Sequence, residues 1–80
     1  MSKSRTRKIK IFLHDDSVNS FTNVITILTH VLPHCNPLRA ESIAMITHTA
    51  GKCQIFYGRF DESIYLYSQL VKHGLHVSVQ

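Results

Sequence analysis

Two aspartates and a histidine stand together in Leu13-His14-Asp15-Asp16, in a chain that holds only five acidic residues among 80. A carboxylate beside an apolar stretch suits a cation carried on a greasy group: the charge meets the acid and the carbon skeleton meets the pocket. The same two residues also suit an Asx-turn, in which an aspartate bonds its own backbone. His48 is the second polar residue set in apolar sequence. It reads either as a satisfied rim residue or, when neutral, as an acceptor for an ammonium group next to Asp15 or Asp16. Other chemistries find little support. His30 and His34 have the i, i+4 spacing of helical metal ligands, with Cys35 adjacent, but Pro33 breaks the helix between them and no second cluster completes four ligands. No metal and no cofactor is expected. The chain has no G-x-S-x-G elbow and no glycine-rich phosphate loop, so an enzyme is not expected either.

These residues need elements to hold them. Lys8–His14 alternates, with Ile9, Ile11 and Leu13 on one side, as a half-buried strand does. After a turn at 15–20, with Asn19 or Ser20 as cap, apolar residues at 21, 24, 25, 28, 31 and 32 mark an amphipathic helix that Pro33 stops. Asn36-Pro37 opens a second helix to about Thr49, its stripe broad enough to suggest cover on more than one face, closed by Gly51. Cys53, Ile55 and Tyr57 alternate as a second strand, with Gly58 as the turn and Asp61 as the cap of a third helix whose stripe is Ile64, Tyr67, Leu70 and Val71. His73-Gly74 ends that helix, and Leu75, Val77 and Val79 form a third strand. The order βααβαβ implies an α+β sandwich, three short antiparallel strands packed against three helices.

Bulk properties narrow the function. A chain of this length buries roughly 60% of its unfolded surface, enough for a single modest core. Residues 8–80 read as that domain and residues 1–7 as a flexible basic tail. No apolar run reaches the roughly 18 residues of a membrane span, and the basic N-terminus lacks the apolar region of a secretory signal. A cytoplasmic monomer is expected, with Cys35 and Cys53 as free thiols in a reducing compartment. Five of the nine basic residues fall in the first ten positions, whereas residues 11–80 hold four basic and five acidic residues. Because the positive charge belongs to the tail rather than to the fold, nucleic acid is not the expected partner.

The opening strand with "LHDD", then "RAESIAMITHTAGKCQI", then "GLHVSV" resemble ClpS, the adaptor of the Clp ATP-dependent protease, over residues 9–79. The resemblance implies a binder of proteins that begin with Phe, Tyr, Trp or Leu. It would pass them to a Clp AAA+ chaperone by docking on that chaperone's N-domain. It places the substrate's α-amino group at His14, at Asp16 with Asp15 beside it, and at His48. The first side chain falls in an apolar pocket of Leu13, Phe21, Val24, Ala44, Thr47 and Leu75. The chain departs from the family pattern in several places. His14 stands where the family has Asn, and one extra residue precedes the helix that starts at Phe21. Ala44 and Thr47 replace larger apolar groups, which implies a wider or more polar pocket. Only residues 1–7 precede the first strand, where the family carries a longer arm, so inefficient delivery or regulation of the chaperone is an expectation too. Two alternatives stand beside this reading: the same fold as a docking module without N-terminal-residue recognition, and a basic-tailed nucleic-acid or ribosome-associated protein.

Overall fold

The computed structural model describes residues 7–80, so the expected tail lies outside the described residues except for Arg7. The elements follow the expected order: β1 (Lys8–His14), α1 (Phe21–Val31), α2 (Pro37–Ala50), β2 (Lys52–Arg59), α3 (Phe60–Lys72) and β3 (Val77–Val79). The strands form one antiparallel sheet in the order β2-β1-β3, so β1 is central. The fold is α+β, with the helices gathered on one face of the sheet. Ile11, Leu13, Leu28 and Leu70 are almost wholly buried at the centre of the core.

Local chemistry explains most boundaries. Ser20 caps α1 by accepting the Asn23 N–H, and Asn36 caps α2 by accepting the Arg39 N–H, with Pro37 at the first helical position. Gly51 ends α2 at φ 92°, a left-handed conformation that costs a residue with a Cβ more than glycine. Gly74, also at positive φ, carries the chain from α3 toward β3.

Five expectations need correction. Asp61 does not cap α3. The helix starts two residues earlier, at Phe60, with Arg59 as its cap straight from β2, and Asp61 and Glu62 lie in its first turn, where negative charge meets the helix dipole. Gly58 is not a turn but part of β2; a Cβ there would come 2.6 Å from the Phe56 ring, so close approach, not chain reversal, requires glycine. The alternation in β2 breaks because the register slips. Ile11 pairs with Phe56 and Phe12 with Gln54, leaving Ile55 as the extra residue of a bulge. Ile55 and Phe56 therefore both pack against the core, and Tyr57 turns out to solvent. In α3 the buried face is Ser63, Leu66 and Leu70, while Ile64 and Val71 are exposed. Ser63 fits against the sheet because its hydroxyl donates to the Gly58 carbonyl at 3.1 Å. Finally, α2 is covered on one face only, by Ala40, Ile43, Ala44 and Thr47; Leu38, Met45 and Ile46 face outward because no layer lies beyond that helix.

Candidate functional site

The end of β1, the first half of α1 and the second half of α2 converge on a hollow of about 290 Å³. That is near the lower edge of ligand pockets, roughly 300–1,000 Å³, and suits a single side chain better than a cofactor. Leu13, Val24, Ala44 and Thr47 supply its apolar lining, with Phe21 more exposed at the edge. Thr47 belongs with the apolar group. It is buried, and its hydroxyl donates to the Ile43 carbonyl at 2.8 Å, which leaves the γ-methyl as its remaining surface.

The polar lining comes from His14, Asp15, Asp16, Asn19 and His48. Asp15 is tied to the end of α2, because its N–H donates to the Gly51 carbonyl at 3.0 Å. Gly51 thereby fixes the distance between the β1 exit and the last turn of α2, where His48 sits. Asp15 Oδ1 lies 3.8 Å from His48 Nδ1, and both side chains are substantially open to solvent. An exposed pair at that distance contributes little to stability. What it provides is a carboxylate and an imidazole that face each other with capacity to spare.

Asp16 is held differently. Its Oδ1 accepts the N–H groups of Val18 and Asn19, each at 2.8 Å, and its Oδ2 accepts the Asn19 side-chain amide at 3.3 Å. This is the Asx-turn reading of the sequence. The backbone donor of Asn19 is the main reason the Asp16 carboxyl lies below the usual carboxylate range; partial desolvation opposes it, while Val18, the Asn19 side chain and the nearby His76 add to it. Asn19 then links this loop to the rest of the fold by donating to the Gly74 carbonyl at 2.9 Å.

His14 stands on the outward side of β1, with Nε2 and Ser78 Oγ hydrogen-bonded at 2.7 Å and its ring centroid 5.6 Å from that of His76. One ring nitrogen is thus committed to β3. Leu75 does not line the hollow. Its N–H closes the end of α3 on the Leu70 carbonyl and its side chain lies in the core, so its apolar character serves packing. Asn19 is the lining residue that sequence reasoning missed, having been weighed only as a helix cap. The signal was an Asp followed three residues later by an Asn that can close the turn.

The metal-ligand candidates stay apart. His30 is exposed with Nδ1 at 3.0 Å from the Thr26 carbonyl, His34 is exposed beyond the helix, and Cys35 is buried in the core, where burial pushes its thiol up. Among the described residues no three His, Cys, Asp or Glu side chains cluster for a metal, and no helix is long and apolar enough to cross a membrane. Comparison with protein families identifies the ATP-dependent Clp protease adaptor protein ClpS, whose family model matches residues 4–78. No curated protein matches the chain.

Proposed function

Because the chain belongs to the ClpS family of Clp protease adaptors, we propose that it recognises the first residue of substrate proteins and presents them to a Clp AAA+ chaperone. The observation that carries this reading is the hollow itself: an apolar lining of Leu13, Val24, Ala44 and Thr47 under a rim where Asp15 faces His48. A free α-amino group is a cation attached to a carbon bearing a side chain. Its ammonium would sit between the Asp15 carboxylate and the His48 imidazole, and its side chain would enter the apolar part.

The divided roles of the two acids refine the reading. Asp15 has an oxygen directed at His48 and none of the turn bonds that occupy Asp16. Asp15 is therefore the direct partner of the ammonium, and Asp16 holds the loop while contributing negative field. In the tautomer that donates Nε2–H to Ser78, His14 keeps an Nδ1 lone pair as a further acceptor. The small Ala44 and the methyl of Thr47 leave room for a large first side chain, so Phe and Leu are the favoured first residues.

Fluorescence anisotropy with peptides beginning Phe, Leu or Met, each with a free or an acetylated amino group, tests this. Free Phe and Leu peptides should bind, Met more weakly, and the acetylated forms should not, since acetylation removes the charge. Equal binding of free and acetylated peptides would overturn the reading. Chaperone binding without any peptide binding would instead identify a docking module.

A further inference from the structure

The helices cover one face of the sheet, and the opposite face is open. On it stand Lys8, Lys10 and Phe12 from β1, paired across the ladder with Arg59, Tyr57 and Gln54 of β2, and Lys52, paired with His14. Residues 8–80 contain six Lys and Arg side chains, and four of them (Lys8, Lys10, Lys52 and Arg59) gather here. All four are exposed. The three strands contain no acidic residue. Asp61, 3.7 Å from Arg59, and Glu62, close to the Gly58 backbone, lie at one edge, and Asp15 lies beyond the end of β1. Two aromatic rings lie among the cations. Lys8 Nζ is 5.5 Å from the centroid of Tyr57, and Lys52 Nζ is 5.1 Å from that of Phe12. The β2 bulge creates this arrangement, because it turns Tyr57 outward instead of into the core.

We infer that this open sheet face is a binding surface for a single-stranded polynucleotide, separate from the peptide hollow. Lysines and an arginine attract the phosphates, and bases stack on Phe12 and Tyr57. Charge complementarity selects a polyanion, and the interleaved rings select one that carries flat bases. Single-strand binding surfaces combine these two features. An acidic polypeptide would use the cations but gain little from the rings. A duplex, with its bases already stacked, would do the same.

The test is anisotropy of the full chain with labelled single-stranded RNA and DNA of about 12 nucleotides, inside the usual site sizes for one small domain. Binding of either strand should weaken with salt. Lys10→Glu with Lys52→Glu should flatten that salt dependence, with a slope change of about 1.4 for two lost phosphate contacts, while leaving free-Phe peptide binding unchanged. Tyr57→Ser, on the exposed edge strand, should weaken binding roughly five- to hundredfold, as loss of one stacked base does. Phe12→Leu, which keeps an apolar group at its half-buried position, should also weaken it. Three outcomes would overturn the inference: a poly-glutamate peptide or a DNA duplex binding as tightly as the single strand, indifference to both ring substitutions, or binding that vanishes on deletion of residues 1–7 but survives the sheet changes.

Discussion

The hollow and the open sheet face share one strand and divide its chemistry. Leu13 points inward to line the hollow, while Lys10 and Phe12 point the other way. The hollow is lined with acid and small apolar groups; the sheet face is basic and aromatic. The difference lies in how each is assembled. The polar part of the hollow is largely a contiguous run, 14–16, met by the last turn of one helix. The sheet face exists only through cross-strand register. Local sequence suffices for a turn with a charge in it, whereas a patch spread over two strands needs the ladder that pairs them.

The most damaging change strikes the shared strand. Leu13→Ala removes a nearly fully buried side chain and should cost about 2–5 kcal/mol of stability by urea unfolding. Peptide binding should fall with it, along with any binding on the sheet face. Loss of one function with stability intact would show the two regions to be less coupled than their common strand implies.

Asp15→Asn separates them. Removing the charge opposite His48 should weaken free-Phe peptide binding roughly ten- to hundredfold, the scale of one hydrogen bond to a charged group, with the melting temperature little changed. An unaltered peptide affinity would exclude Asp15 as the ammonium partner.

Asp16 should behave as a structural residue. Asp16→Ala leaves the Val18 and Asn19 N–H groups without their acceptor and should cost about 1 kcal/mol; Asp16→Asn retains a carbonyl oxygen for them and should cost less. The pH dependence carries a definite sign. The folded-state carboxyl lies below its ordinary value, so its contribution is present above the unfolded pKa of about 3.9 and disappears as pH falls through the folded value. The stability advantage of the wild type over Asp16→Asn should therefore shrink in acid below about pH 4. An advantage that grows in acid would contradict the turn geometry. The smallest effect belongs to Arg59→Gln: its 3.7 Å pair with Asp61 is largely exposed, and stability should change by less than about 1 kcal/mol.

The legible parts of the fold were those with local causes. The alternation of Lys8–His14, the Asn36-Pro37 start and the Gly51 stop each follow from one or two residues, and the structure places strand, cap and left-handed cap there. The misread parts involve two segments at once. Gly58 looked like a turn because glycine permits one, yet its reason is the Phe56 ring against its backbone. Tyr57 looked inward because strict alternation assumes no bulge. The family resemblance placed Leu75 in the pocket, but the packing of α3 against the sheet puts it in the core instead. Asn19 was passed over because a cap and a turn clasp draw on the same residue type.

By itself, the chain of amino acids determined the order βααβαβ, the α+β class, and the proximity of two carboxylates to an apolar helix start, all of which depend on neighbours within a few positions. Only the tertiary structure decided which carboxylate faces His48, since that depends on the Asp15 tie to Gly51, 36 positions away. It also decided that Lys8 and Lys10, counted in sequence with the basic N-terminus, belong to β1 and share one surface with Lys52 and Arg59. Periodicity says which side of a strand a residue takes, but register against a distant partner says what stands beside it.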